Sequence, residues 1–491
     1  MKEDYIKLIF GLKLKQIRND QGLSLYGLSK KTGLSKSYLN EIENGKKYPK
    51  PDKIAALSEH LDVPYDDLVS LKLNKNLAPI GDILQSSLLK DIPLELFGLQ
   101  ESTLINIIAN APQKVTAFIS TIIEIAKNYD FSRENFYLAS VRSFQEANNN
   151  YFQEYEDAVL KFARMYEIDL DKPISPDILE DILIEEFGYT INHDELETHS
   201  DLEDLRSIYI PKTKTLLITK DIDDAQRSFI YAKELAYSFL KITDRLYTFS
   251  WIKFDNFEQV LNNFYASYFA GALLIPREKL VEKLKSIFSK NHFNSQDFQD
   301  LLNHFNASPE TIYQRLTNIL PHDFKFKNLF FLRFSYHKNN DEYRLNKELH
   351  LAKNQSPRAS ETNEHYCRRW ISLKVLKRLS TSKDEHSFGI QISKYPETDQ
   401  QYLMLASAVK DPFKKDRYRS ISIGIAIDQN FKKKVNFLND ANIQSVQVGV
   451  TCERCGIADC KLREATASVL EKKHKDQNTE DAVETLIKKY S

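Results

Sequence analysis

The chain has 491 residues, 28 % of them charged, with a formal net charge of -1. That length supports about three domains, each able to bury its own core. The balance of charge excludes a wholesale polybasic nucleic-acid binder, so any nucleic-acid surface has to be local.

The start, MKEDYIKLIF, has no apolar stretch followed by a small-residue cleavage site, and no run approaches the ~18 to 20 apolar residues that span a bilayer. A cytoplasmic protein with no membrane partner is expected. Four cysteines in so long a chain exclude a disulfide framework and favour metal or redox use of any that cluster. Neither G-x-G-x-x-G nor G-x-x-x-x-G-K-[ST] occurs, which removes the commonest nucleotide loops.

Residues 1–72 read as five helices, with apolar positions from Leu14 to Val63 at helical intervals and breaks at DQG, KTG, ENG and YPKP. One helix runs from Ser24 to Lys31, the turn TGL follows, and a second helix opens at the N-cap Ser35. This is a helix-turn-helix layout. The second helix offers Lys36, Ser37, Tyr38 and Asn40 to base edges while Leu39 and Ile42 face inward, and Asn44, Lys46 and Lys47 come near the phosphate backbone. Residues 1–60 hold 12 Lys and Arg against 7 Asp and Glu, a local excess of +5 that the whole chain conceals. The stretch resembles the Xre, or lambda-repressor-like, family, most specifically in IENGKKYP, with Leu25 where that family often carries a phosphate-holding Gln. Duplex operator DNA and a homodimer or higher homo-oligomer are the implied partners.

Residues 73–165, nearly free of Gly, read as a helical linker or dimerisation region. Residues 166–290 mix elements, with SIYIPKTKTLLIT as a hairpin and two apolar helices after it. In FIYAKELAYSFL, the positions Lys233, Glu234 and Tyr237 outline a zinc-peptidase H-E-x-x-H motif without either histidine. A protonated Lys has no lone pair and Tyr is a poor zinc ligand at neutral pH, so no metal site can be built on this pair. NNFYASYFAGALLIP then resembles the ImmA/IrrE metallopeptidase segment whose Glu is the third zinc ligand, with Asn263 in that place. The resemblance implies a degenerate peptidase domain with no catalytic residue; without a metal Glu234 has no water to activate, and the plainer reading of it is a helix carboxylate paired with a neighbour.

Residues 291–345 are expected as a helical connector, with two helices around NASPE capped at Ser308. Residues 346–475 read as an α+β sensor domain from runs such as SISIGIAI, and 476–491 as a polar tail. Cys452, Cys455 and Cys460 stand in a C-x2-C-x4-C run, and Cys367 lies in EHYCRRW. Four thiolates suit either Zn2+ or a [4Fe-4S] cluster, with His365 as the alternative to Cys367.

EHYCRRW and CERCGIADCKLREA, following TAFISTIIEIAKNYDFSRENFYLASVRSFQEANNNYF, resemble the short-chain fatty acyl transcriptional regulators. That resemblance implies an acyl-CoA effector. Its phosphates would need basic groups, for which Arg368, Arg369, Lys414, Lys415, Arg417 and Arg419 are candidates. The expected fold is mainly α and multidomain: a helix-turn-helix bundle, a helical linker, a degenerate zincin-like α+β domain and a C-terminal α+β sensor. A peptidase acting on a partner repressor, and a phage-type repressor or antitoxin, are the rival functions.

Overall fold

The computed structural model describes residues 2–70, 133–202, 205–248, 255–351, 364–396, 398–411, 414 and 416–490. It divides into two compact units, Met1–Ser140 and Val141–Ser491. The linker expected over 73–165 falls outside the described residues as far as 132.

In the first unit, α1 (Lys2–Asp20), α2 (Leu25–Thr32), α3 (Lys36–Glu43), α4 (Pro51–Leu61) and α5 (Tyr65–Val69) enclose a core of Phe10, Leu14, Leu28, Leu34, Leu39, Ile42, Ile54, Leu57, Leu61 and Leu68. Local chemistry sets each boundary. The Ser24 and Ser35 hydroxyls accept from the backbone N–H groups of Gly27 and Tyr38, and Gly33 ends α2 at a φ of 71° that favours glycine. At Gly11 a Cβ would lie 2.2 Å from the Ile42 carbonyl oxygen, so α1 meets α3 at backbone contact. Buried Arg18 donates to both carboxylate oxygens of Glu43, at 2.6 and 2.9 Å, locking the same two helices.

Helix α6 (Arg133–Ala147) contains the division between the units. The second unit continues with α7 (Gln153–Met165), α8 (Pro176–Glu185), β1 (Thr190–Asn192), β2 (Ser207–Ile210) and β3 (Thr215–Ile218), the strands forming a sheet in the order β1-β3-β2. The expected hairpin is the antiparallel β2–β3 pair. Then come α9 (Asp224–Phe239), α10 (Phe257–Leu274), α11 (Arg277–Phe288), α12 (Ser295–Phe305) and α13 (Pro309–Asp323). Ser308 caps α13 by accepting from the Thr311 N–H.

The connector expected over 291–345 stops being helical at Asp323, because β4 (Leu329–His337) and β5 (Glu342–His350) already belong to the large sheet. LFFLRFSYH is almost wholly buried, so it lacks the alternation that marks a half-exposed strand. Nor is α13 a mere connector. Its Arg315 is 1 % exposed, gives two hydrogen bonds to Glu156 of α7, at 2.6 and 2.8 Å, and a third to the Ile275 carbonyl.

After α14 (Ile371–Thr381), the strands β6 (His386–Tyr395), β7 (Gln400–Lys410) and β8 (Arg417–Ala426) follow, then α15 (Gln429–Lys434), β9 (Ser445–Gln447) and α16 (Ser468–Tyr490). The six-stranded sheet runs β5-β4-β8-β7-β6-β9, antiparallel except for β6–β9. Both faces are covered. Leu329, Phe331, Leu403, Leu405, Ile421, Ile423 and Ile425 join the core of the peptidase-like helices, whereas Phe330, Leu332, Phe334, Met404 and Ala406 pack with α14 and Trp370. The polar tail expected over 476–491 is the exposed end of α16 as far as Tyr490.

Candidate functional site

On the reader helix α3, Ser35, Lys36, Ser37, Asn40, Lys46 and Lys47 are exposed, while Tyr38 and Asn44 are half-buried. Leu39 and Ile42 are fully buried, so the helix is anchored on one side and polar on the other. Asn44 gives its amide to the Asn40 carbonyl and side-chain oxygens, at 2.8 and 3.1 Å. Lys47 lies 3.6 Å from Glu41 and 5.2 Å from the centre of the Tyr38 ring. The arrangement can present hydrogen-bonding side chains from the N-terminal half of α3 to base edges and two lysines to phosphates.

The degenerate peptidase positions lie together on α9 and α10, which pack against each other. Lys233, Glu234, Tyr237 and Asn263 are all buried. The Tyr237 hydroxyl donates to Asn263 Oδ1 at 3.4 Å, so two of the substituted positions touch each other. Glu234 accepts from Arg245 at 2.7 and 2.5 Å and from the Tyr189 hydroxyl at 3.2 Å. The Arg245 guanidinium lies 3.7 Å from the centre of the Tyr237 ring and 4.3 Å from that of Tyr209. A carboxylate that accepts two guanidinium bonds is paired with a cation, which makes it a weaker base toward a water. Burial lowers the Lys233 ammonium to about 8, opposed by the charge of Glu234 and assisted by those of Arg245 and Lys347. For Arg245, burial is outweighed by Glu234, and the guanidinium is held above its ordinary value. Arg245 was not legible in sequence, since nothing local marks a loop arginine as the partner of a helix carboxylate.

At the cysteines, Cys367, Cys452 and Cys455 are buried, Cys460 is half-buried, and none is in a disulfide. Tyr366 and Thr451 form an antiparallel bridge, Cys367 N–H donates to the Val450 carbonyl, and Cys452 N–H donates to the His365 carbonyl, so two distant segments are laid side by side. Burial raises the Cys367 thiol, and the neighbouring Cys455 and Cys452 add to the effect. A Cβ at Gly449 would come within 2.7 Å of Cys455 Sγ. Arg463 ties down the loop by donating to the carbonyls of Cys452, Cys455 and Ile457, at 2.8 to 2.9 Å. The donor types fit a thiolate centre. Among the described residues, however, no three His, Cys, Asp or Glu side chains are gathered as a coordinating set. His365 turns to Glu453, 2.7 Å from its Nδ1.

The basic candidates separate. Arg368 lies 3.5 Å from Glu464 and over Tyr343, and Arg369 donates to the Gln447 carbonyl. Lys414 is exposed, and Lys415 lies outside the described residues. Arg417 and Arg419, in contrast, sit on β8 beside Asp411.

Residues 14–68 match the helix-turn-helix family, and residues 183–317 match the IrrE N-terminal-like domain family. The chain carries both domains. The HTH-type transcriptional regulator RamB of Mycobacterium tuberculosis is 22 % identical over 486 residues, which is 93 % of this chain and 94 % of that protein. The HTH-type transcriptional repressor RghR of Bacillus subtilis is 38 % identical over 61 residues, 12 % of this chain and 45 % of its own length. A solved Mycobacterium tuberculosis transcriptional regulator aligns over 67 % of this chain and 93 % of its own, at a TM-score of 0.47 and 18 % identity. Among the described residues, no helix is long and apolar enough to cross a membrane.

Proposed function

We propose that this protein is a DNA-binding transcriptional regulator whose C-terminal part senses a short-chain acyl-CoA or a related metabolite. The observation that carries the DNA reading is α3 itself: Lys36, Ser37 and Asn40 exposed at its N-terminal half, Leu39 and Ile42 fully buried behind them, in a unit with a local excess of basic charge. The relatives named regulator and repressor support it. A homodimer would place two readers on half-sites about one helical turn apart. The IrrE-like domain serves without hydrolysis, since Lys233, Tyr237 and Asn263 stand at the ligand positions and Glu234 is bound to Arg245.

Cys367, Cys452, Cys455 and Cys460 would hold a [4Fe-4S] cluster or Zn2+, and a cluster there would add sensitivity to redox state. The burial of Cys367, Cys452 and Cys455, the freedom of all four from disulfides and the bridging of their two segments support this assignment. Footprinting of the protein on its own promoter region, with and without acyl-CoAs, tests the function. Identical protection in all conditions removes the sensing reading, and no protection removes the regulator. Metal analysis of anaerobically purified protein, alongside Cys452→Ser and Cys460→Ser, tests the centre.

A further inference from the structure

Helix α16 is tied at its first turn, where the Val469 and Leu470 N–H groups donate to the Glu453 carbonyl in the cysteine run. From Glu471 to Tyr490 every residue is exposed. That stretch is about 30 Å of helix. Helices in proteins draw most of their stability from packing an apolar face, and none of the α16 residues is buried.

Its last turns nevertheless carry such a face. Val483, Leu486, Ile487 and Tyr490 follow at i, i+3, i+4 and i+7, one stripe along the helix, and are 49, 55, 60 and 80 % exposed. Single exposed apolar side chains are ordinary, whereas a contiguous stripe marks a contact surface. Charge is ordered along the same turns, with Glu480, Asp481 and Glu484 first and Lys488 and Lys489 last. Glu484 and Lys488 lie 3.6 Å apart within the helix and are 71 and 79 % exposed, so each is open to a second partner. Toward the N-terminus the stripe's own face continues through Asp476 and Glu480, which a parallel pair of such helices would set against their own copies.

We propose that α16 pairs with α16 of a second copy of this chain, antiparallel, about a two-fold axis between Leu486 and Ile487. Val483 then meets Tyr490 of the copy, Leu486 meets Ile487, and Glu484 comes level with Lys488 and Lys489. The acidic turns of each helix face the basic turns of the other, so one patch is complementary to itself, as a two-fold contact requires. Asp476 and Glu480 pass beyond Tyr490 of the copy, where α16 ends, and stay in water. The surface serves the homodimer proposed above, and its geometry does not depend on DNA. Two turns a chain fall short of the about 1,000 Å2 that a freestanding interface clears, so the pairing is weak and a covalent trap is the measurement that reads it.

Full-length Val483→Cys and Tyr490→Cys chains are mixed without DNA under mild oxidation, and linked peptides are identified by mass spectrometry, which tells the native cysteines apart. The 483–490 link between chains is expected at least about fivefold above the 483–483 link, because Val483 stands about 10 Å along the axis from its own copy. Adding Lys488→Glu to both chains should cut the link about threefold. Lys488→Glu in one chain with Glu484→Lys in the other should restore it, although each chain then has its own internal pair broken. Every substitution lies in exposed turns, so the melting temperature of the full chain is expected to stay unchanged. Absence of the link, equal 483–490 and 483–483 yields, or no recovery in the mixed pair overturns the pairing. A sedimenting dimer without the link overturns this surface and leaves the homodimer to another part of the chain. A link in protein that fails to protect DNA upholds the surface and removes the regulator reading.

Discussion

The Arg245 guanidinium lies 3.7 Å from the centre of the Tyr237 ring while donating two hydrogen bonds to Glu234. It thereby ties Glu234 to Tyr237, the position that the resemblance to the ImmA/IrrE metallopeptidases would give to a zinc ligand. Substituting the ligands alone therefore does not rebuild the site. The triple variant Lys233→His, Tyr237→His, Asn263→Glu is expected to bind less than one zinc per chain, because a fixed cation opposes Zn2+ and occupies the carboxylate that must polarise water. Adding Arg245→Ala should raise zinc occupancy. Equal zinc content in the two variants, by metal analysis after dialysis, would show that Arg245 is not the obstacle.

Lys233 makes a prediction about pH. Its ammonium is lowered from 10.5 to about 8, first by burial, with Glu234 opposing and Arg245 and Lys347 assisting. Between pH 8 and 10 the unfolded chain holds this proton more tightly than the folded one, so this group's penalty on the fold shrinks as pH rises through that window. Below pH 8 the penalty is fully present. Lys233→Met is therefore expected to stabilise the protein at pH 7, by up to about 3 kcal/mol, with a gain that narrows toward pH 10. Thermal melts of both proteins across this range check it, and a gain independent of pH would assign the effect to packing.

These two sites differ in how far the sequence discloses them. Ser24, Gly33 and Ser35 act within three or four residues of where they stand, so the reader was legible from local chemistry. That Lys233, Tyr237 and Asn263 would stand close together was legible because their spacing is set within two helices, and Tyr237 does bond Asn263. What was not legible depends on distance along the chain. Arg315 finds Glu156 across 159 residues, and Arg333 meets Lys347 only through the pairing of β4 with β5. Arg417 and Arg419 were visible as a basic run, but their seating beside Asp411 on an inner sheet face is a property of the fold. The strand 329–337 escaped for a related reason, since a segment buried on both faces loses the period that would identify it.

The Arg315–Glu156 pair supplies the next prediction. It joins α13 to α7, and the Tyr268 hydroxyl also donates to Glu156, at 2.7 Å. Arg315→Ala leaves that carboxylate buried without its cation and is expected to cost about 3–5 kcal/mol. The double variant Arg315→Met, Glu156→Gln should recover much of the loss, because it removes both charges and keeps an acceptor for Tyr268. Chemical denaturation of the three proteins decides this; a double variant no more stable than Arg315→Ala would mean that shape rather than charge holds α13.

The reader offers a separation between contact and fold. Lys46 is exposed, so Lys46→Ala is expected to weaken binding to every duplex alike and to reduce the slope of log K against log salt by about 0.9, the signature of one lost phosphate contact. Lys47 should cost less, because Glu41 and the Tyr38 ring already share its charge. Asn40→Ala should instead leave the slope unchanged and relax preference at one base position, at about 1–3 kcal/mol. Gly11→Ala provides the contrast. Its Cβ would strike the Ile42 carbonyl oxygen, pushing α3 off α1, so DNA affinity and melting temperature should fall together. If Lys46→Ala also lowered the melting temperature, the lysine would be part of the scaffold, and the phosphate contact would have to be sought on another exposed cation of the unit, such as Lys36.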